Sequence, residues 1–380
     1  MGAGKSVIDE NRIKDILSNA GINSSDITEI IKEINNTTIK TIKQKIDAVK
    51  KVPSEEYENG ERFIDIYPNY SEYNLPSWVI NNIEEAKVIG NSKKTVIIPD
   101  GRRYQLNNTL NHLSGGAWTY FSNSVFNSTY KTRGSDSFAH KIRKIHPTPK
   151  PPQLMRDIIE FFTKENELVF DYFMGVGGSL LGAGISNRRA IGIELNPTYI
   201  EAYKAAAAEI GCPEFRCVEG DCLEILNDSS KMNELLRNEQ ISLVLIDPPY
   251  GNMMSREKTG ADIKVYGNVA TPFTNSDKDF GNLELCDFFE KLKKSVELIL
   301  PYVKIKGHVV VFIKDLQPYK KQTNLLHAEI VNKLNEIPEI NYKGLKIWAD
   351  QTAKLFPYGY PFSFVANQIH QYILIFRKEK

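Results

Sequence analysis

Cysteine is scarce in this chain: four among 380 residues are too few for a disulfide framework, which points to a reducing cytoplasm. No apolar run approaches the ~20 residues that a bilayer-crossing helix needs, so a helical membrane protein is excluded. The first thirty residues carry charges throughout and hold no uninterrupted apolar segment, so no secretory signal is expected. Net charge is nearly missing too, with 48 Lys+Arg against 47 Asp+Glu. As an average, +1 offers no electrostatic reason to expect a nucleic-acid partner.

The average hides a segregation. Residues 101–150 hold Arg102, Arg103, Lys131, Arg133, Lys141, Arg143, Lys144 and Lys150 against Asp136 alone, a local +7 that leaves −6 for the rest of the chain. Trp118, Tyr120, Phe121, Phe126 and Tyr130 lie among these cations, with many Asn and Ser between. Cations that neutralise phosphates, interleaved with aromatics and amides, are the footprint of a nucleic-acid face. The ordinary alternative is a solvated loop whose charges cluster by chance.

Hydrophobic residues at 41% and charged residues at 25% are the proportions of a folded globular protein. The length predicts a catalytic-sized domain with a smaller companion. Residues 1–52 read as helical, with Ile13, Ile16 and Leu17 at helical spacing. From Pro53 the texture changes to turn residues, aromatics and short β-like runs, such as Thr95–Ile98 ahead of Pro99-Asp100-Gly101. From Pro147 onward, apolar strands at Leu168–Phe170, Ala190–Leu195, Phe215–Val218, Ile241–Ile246 and His308–Ile313 alternate with helical stretches. Gln371–Arg377 forms a closing strand. Short buried strands separated by helices predict a parallel sheet covered on both faces.

Val169 to Gly182 is a strand, a Gly-rich turn and a helix start, with glycines at 175, 177 and 178. Such a turn lets a ligand approach the backbone and meet helix N-terminal amides. Glu194 ends the next strand, where a carboxylate can hold both hydroxyls of a ribose. The dinucleotide fingerprint G-x-G-x-x-G fails, because Leu180 stands three after Gly177. A structural turn and a nucleoside cofactor without a pyrophosphate, such as S-adenosylmethionine, remain open on the turn alone.

Ile241–Ile246 runs into Asp247-Pro248-Pro249-Tyr250. Two prolines fix the backbone just beyond a strand's carboxyl end, where open α/β sheets bind ligands. They hold Asp247 and a backbone carbonyl as rigid acceptors. The exocyclic amine of a base is a poor nucleophile, since its lone pair is delocalised into the ring. Two acceptors on its hydrogens free that lone pair for in-line attack on a sulfonium methyl, while Tyr250 offers a ring to a base that has left the helix.

Phe173-Met-Gly-Val-Gly177 and Asp247-Pro-Pro-Tyr250 resemble the cofactor and catalytic motifs of the amino (N6-adenine/N4-cytosine) DNA methyltransferases. His146-Pro-Thr-Pro-Lys-Pro151 is similar to the family segment beside the methionine part of the cofactor, and Asn367–Lys378 to its last strand. The resemblance spans residues 143 to 378. It implies an α/β fold with a Rossmann-like, seven-stranded, mostly parallel methyltransferase sheet and a smaller N-terminal helical/mixed region. The organisation it suggests is a helical region 1–52, a target-recognition and DNA-binding region 53–142, and a catalytic domain 143–380.

By the same resemblance S-adenosyl-L-methionine is the cofactor. Glu194 would bind its ribose, Asp221 with Cys222 beside it the adenine, and Asp171 and Lys150 the methionine end, with Phe173, Gly175 and Gly177 shaping the turn. The expected reaction is methylation of adenine N6 in double-stranded DNA, with Asp247, Pro248, Pro249 and Tyr250 catalytic. The aspartate form of the tetrapeptide leans toward adenine. N4-cytosine and RNA base amines are the alternatives. Arg102, Arg103, Trp118, Lys131, Arg133, Lys141, Arg143 and Lys144 are the expected nucleic-acid contacts. A cytoplasmic, nucleoid-associated protein of bacterial or phage type is implied, with room for a cognate restriction endonuclease. The oligomeric state is left open.

The long extra segment precedes both motifs, whereas the family's common arrangements place recognition between or after them. The loop Gly251–Asn282, polar and rich in Gly, Asn and Asp, is expected to fold over the flipped base. Met1-Gly-Ala-Gly-Lys-Ser6 lacks the first glycine of a P-loop. Cys212, Cys217 and Cys222 form no C-x-x-C pair, so no metal site is expected.

Overall fold

A computed structural model describes residues 55–251, 273–318, 321–350, 353 and 355–380. The helical region expected over 1–52 and most of the Gly251–Asn282 loop lie outside the described residues. The chain forms two compact units, one up to Leu106 and one from Asn107.

The first unit carries strands β1 (Glu61–Arg62), β2 (Lys87–Ile89), β3 (Thr95–Ile97) and β4 (Arg103–Gln105), antiparallel in that order. The expected Thr95 run is β3, and Pro99-Asp100-Gly101 turns it back into β4. Helical turns α1 (Glu55–Glu58), α2 (Phe63–Ile66) and α3 (Ser77–Ile80) accompany the sheet. Phe63, Val79, Val96 and Tyr104 fill its small core.

The second unit is built on eight strands: β5 (Val125–Ser128), β6 (Leu168–Asp171), β7 (Arg189–Glu194), β8 (Arg216–Glu219), β9 (Ile241–Ile246), β10 (Val303–Ile313), β11 (Ile340–Asp350) and β12 (His370–Lys378). Their order is β5-β11-β12-β10-β9-β6-β7-β8. Only β12 runs antiparallel to its neighbours, β10 and β11. The α/β, mostly parallel sheet expected from the sequence is therefore present, with one strand more than the expected seven. The addition is the edge strand β5, parallel to β11.

Strand alternation divides the core. Val244 and Ile246 of β9, with Val309 and Val311 of β10, face one cluster. Leu243, Leu245, Val310 and Phe312 face the other. A strand with both faces buried reads as a continuous apolar run, which is why these strands were legible.

The helices of this unit are α4 (Gly115–Phe121), α5 (His140–Arg143), α6 (Pro152–Phe162), α7 (Gly178–Gly184), α8 (Pro197–Ile210), α9 (Cys222–Asn227), α10 (Ser229–Leu236), α11 (Leu285–Ile299) and α12 (Leu326–Leu334). Starts follow the usual chemistry: Asn196 Oδ1 accepts from Thr198 N at 3.0 Å ahead of Pro197. No helix among the described residues is long and apolar enough to cross a membrane.

The family resemblance begins at residue 143, and the two compact units meet at Leu106/Asn107. β5 completes the large sheet, and Phe121 of α4 stacks on Phe161 of α6 at 3.9 Å. Residues 107–142 belong to the same packed body as the Gly-rich turn and Asp247–Tyr250.

Candidate active site

Strand order reverses between β6 and β9, and a cavity of about 410 Å³ opens at their carboxyl ends. This is where doubly wound sheets place ligands. Asp171, Phe173, Gly175, Glu194, Asp221, Cys222 and the whole Asp247–Tyr250 tetrapeptide line it, so the fold gathers the motif residues around one space.

The turn after β6 is tightly made. Asp171 is buried; Oδ1 accepts from Phe173 N at 2.9 Å and Oδ2 from the Ser179 hydroxyl. The carboxylate expected at the methionine end thus holds the turn in shape. Burial pushes its pKa up to about 7. Gly177 enters α7 at φ +73°, and an added Cβ would stand 2.2 Å from Tyr203 Cδ2. Only glycine fits there.

Glu194 ends β7. Oε2 accepts from Gly175 N at 2.8 Å and Oε1 from Asn196 N at 2.8 Å. Two amides fix the carboxylate, yet each oxygen keeps a lone pair for the cavity. Burial, the largest effect, raises it to about 7. Asp221 caps α9 through Oδ1, which accepts from Leu223 N at 2.7 Å, and that cap does not use Oδ2. Cys222 behind it is buried, which pushes its thiol pKa up and keeps it a thiol.

The Asp247–Tyr250 tetrapeptide has an unexpected partner. Lys150 Nζ donates to both oxygens of Asp247, at 2.7 and 2.6 Å. The lysine expected at the methionine end is therefore paired with the Asp247 carboxylate, with side chains only 8% and 18% exposed. Burial first, and the Asp247 charge second, push the Tyr250 phenol up. The Phe173 ring meets Phe280 edge-on at 5.0 Å.

His146, read as a turn residue, packs between Phe273 and Tyr199 at 5.0 and 4.9 Å. Burial first, and Lys150 second, push its pKa down to about 4, so it is neutral. Nδ1 accepts from Thr148 N at 3.2 Å, which assigns the ring proton to Nε2.

Sequence reasoning missed the part of the lining contributed by β10 and β12. Lys314, Asp315 and Gln317 follow β10, and Gln368 and Gln371 lie near the start of β12. Asp315 is held by His327 Nδ1 at 2.8 Å. Gln371 Oε1 is buried with no hydrogen-bond partner among the described residues. Position beyond a predicted parallel strand was the available signal for residues 314–317.

The basic segment divides. Arg102 and Arg103 belong to the first unit, where each pairs with an acid, Asp100 and Glu56 respectively. Arg143, expected on DNA, is corrected: it is 1% exposed, with Nη1 donating to Lys150 O at 2.8 Å and Nε to Phe138 O at 3.2 Å. Burial lowers its pKa to about 10, which still leaves it charged near neutral pH, and its N–H groups donate to backbone carbonyls. Lys131, Arg133, Lys141 and Lys144 are exposed on the second unit, with Lys131 paired to Asp136. Trp118 is half-exposed and packs on Phe161 at 4.9 Å.

The family model described as DNA methylase, of N6/N4 type, matches residues 11–205. The chain belongs to this family. The match takes in the Lys150 segment, the Gly-rich turn and Glu194 and ends ahead of Asp247. The type II methyltransferase M1.MboII of Moraxella bovis is 30% identical over 132 residues, 35% of this chain and 45% of that protein. A tRNA (guanine(10)-N2)-dimethyltransferase of Pyrococcus abyssi is 27% identical over 105 residues, 28% of this chain and 30% of that protein. A putative methyltransferase structure from Streptococcus mutans, in complex with SAH, aligns at TM-score 0.36 and 10% identity over 61% of this chain and 99% of that one. The chain spans less than half the length of these curated relatives. The family's cofactor, S-adenosyl-L-methionine, fits the cavity: the volume is adequate, Glu194 can accept from ribose hydroxyls, and the Gly177 turn admits close approach.

Proposed function

We propose that this protein is a site-specific DNA methyltransferase that methylates the N6 amino group of adenine in double-stranded DNA, acting on a nucleotide rotated out of the helix. The observation that carries the reading is Asp247 at the mouth of the S-adenosylmethionine-sized cavity, beside a glycine-rich turn. The bound cofactor supplies an electrophilic methyl group on a sulfonium. Asp247 and the Pro248 carbonyl accept the two amino hydrogens, which releases the nitrogen lone pair. Pro249 holds that carbonyl in place, and the Tyr250 ring lines the pocket for the base. As the nitrogen gains its methyl group it loses one proton, which Asp247 accepts. Lys314 and the unpartnered Gln371 oxygen supply a further donor and acceptor in the lining.

DNA recognition falls to residues 53–142 and the exposed Lys131, Arg133, Lys141 and Lys144. A cytoplasmic site of action and a companion endonuclease accord with this reading. N4-cytosine methylation uses the same site. The tRNA-methylating relative favours RNA as the second reading. Incubation with tritiated S-adenosylmethionine, unmodified duplex DNA and tRNA separates them: label should appear in adenine of the duplex. Label confined to cytosine, or to tRNA, would sink the proposal.

The raised Glu194 pKa predicts a pH dependence. Ribose hydroxyls bind the ionised carboxylate, and the ionised fraction grows as pH rises through about 7. Affinity for S-adenosylhomocysteine should therefore be about tenfold weaker at pH 6 than at pH 8. Calorimetry across that range checks it. Glu194→Gln should bind weakly with a flat profile; a slope that survives the substitution assigns the ionisation to Asp171.

A further inference from the structure

The connection between β11 and β12 exposes three aromatic rings within five residues: Tyr360 at 80%, Phe362 at 93% and Phe364 at 92%. Its residues 355–369 are held by hydrogen bonds. Asp350 N donates to Ile369 O at 3.0 Å at its neck. Asn367 brackets Phe356, donating to its carbonyl at 2.8 Å and accepting from its amide at 2.9 Å. Phe362 N and Ser363 N both donate to Gly359 O, at 2.7 and 2.8 Å. These bonds hold the turn that projects the rings into solvent.

Sheet direction places the loop. β11 is antiparallel to β12, and β12 to β10, so β11 runs with β10 and β9. Its carboxyl end lies at the same edge of the sheet as Asp247. β5 is parallel to β11, with Ser128 opposite Asp350, so the chain leading to exposed Lys131 and Arg133 leaves the sheet at that edge too. At the loop's other end, Gln368 and Gln371 line the cavity. The aromatic tip thus springs from between a basic segment and the active site.

Clustered aromatic surface of this kind marks an interaction site. Flat apolar faces next to backbone phosphates are what nucleic-acid bases offer, and stacking tolerates any sequence because every base has a π-face. Rotating a base out of a duplex leaves a gap whose neighbours have lost their stacking. We propose that Phe362 and Phe364 insert into the DNA stack beside the extruded nucleotide and hold the gap open. The inference rests on the duplex-DNA reading above and adds the element that pays for unstacking.

The test uses the full chain and plasmid DNA from a methylation-deficient host. Phe362→Ala/Phe364→Ala should lower kcat/KM for methyl transfer about tenfold to a hundredfold, the loss expected for removed base–aromatic stacking. Phe362→Trp/Phe364→Trp should stay within about threefold of wild type, since the larger ring stacks at least as well. Both variants should bind S-adenosylhomocysteine normally, because the rings lie outside the cavity. In a plasmid relaxation assay, wild type with S-adenosylhomocysteine should change the linking number, and the alanine variant should not. Wild-type transfer by the alanine variant overturns the inference, as does a tryptophan variant as poor as the alanine one. Normal transfer with lost self-association in sedimentation would make the loop a protein contact and overturn it equally. Failure of wild type to label the plasmid would instead remove the DNA reading itself.

Discussion

Asp247→Ala should reduce methyl transfer by about 10²–10³-fold or more, the loss that follows removal of a preorganised hydrogen-bond partner from a reacting centre. Without the carboxylate, one amino hydrogen of the target base has no acceptor, and the nitrogen keeps its lone pair in the ring. Single-turnover transfer of tritiated methyl groups measures this, and a variant that retains a tenth of the activity would refute the role. S-adenosylhomocysteine should still bind, because the Glu194 carboxylate is held by the amides of Gly175 and Asn196 and does not depend on Asp247. The substitution has a second effect, on stability. It leaves the Lys150 ammonium, 8% exposed, without the two bonds it now makes. Breaking a buried pair by deleting one partner costs up to about 3–5 kcal/mol, and the partial exposure of Asp247 places this case below that limit. Asp247→Ala/Lys150→Met should therefore recover stability to denaturant and recover no activity. That split separates a chemical role from a merely structural one.

Gly177→Ala should destabilise the catalytic unit by about 3 kcal/mol, from ~1–2 kcal/mol of left-handed backbone strain and a further ~1–3 kcal/mol of overpacking. The added Cβ would lie 2.2 and 2.7 Å from two ring carbons of Tyr203. That ring cannot retreat: it is fully buried, and its hydroxyl accepts from Phe215 N at 2.7 Å. The turn must give way, which displaces Gly175 N from Glu194 and should weaken S-adenosylhomocysteine binding at least about tenfold, since about 1.4 kcal/mol lost from that contact is one decade. Gly211 is the control. It is also left-handed, φ +64°, but an added Cβ there meets nothing within 4 Å. Gly211→Ala should cost only about 1 kcal/mol and leave binding intact. Equal urea midpoints for the two variants would remove the steric argument.

What was legible in the residues follows from burial. β9 has all six side chains buried, so Ile241–Ile246 appears as an unbroken apolar run, and the two prolines after it mark where the strand stops. β11 lacked that signature. It mixes Asn341, Lys343 and Lys346 with apolar residues, shifts register near Gly344, and buries Lys346, whose ammonium donates to the carbonyls of Phe121 and Asn123. A lysine in a sheet reads as solvent-facing until its distant carbonyl partners are known. β5 is four residues of mixed character whose only reason to be a strand is the edge of β11.

The site shows the same division. Local chemistry was enough to locate the glycine-rich turn, Glu194 and Asp247–Tyr250, because each is a short motif whose backbone needs particular residues. It also carried the resemblance to the family, since the combination of motifs is specific where each alone is not, and the family-model match over residues 11–205 shows the membership. The charges were another matter. Arg143 looks like its neighbours Lys141 and Lys144, yet folding puts it under Lys150, and Lys150 on Asp247. Sequence spacing says where a cation stands on its own helix or loop. Only tertiary packing decides whether that cation meets water, a phosphate or a buried carboxylate, because the partner comes from a strand nearly a hundred positions away.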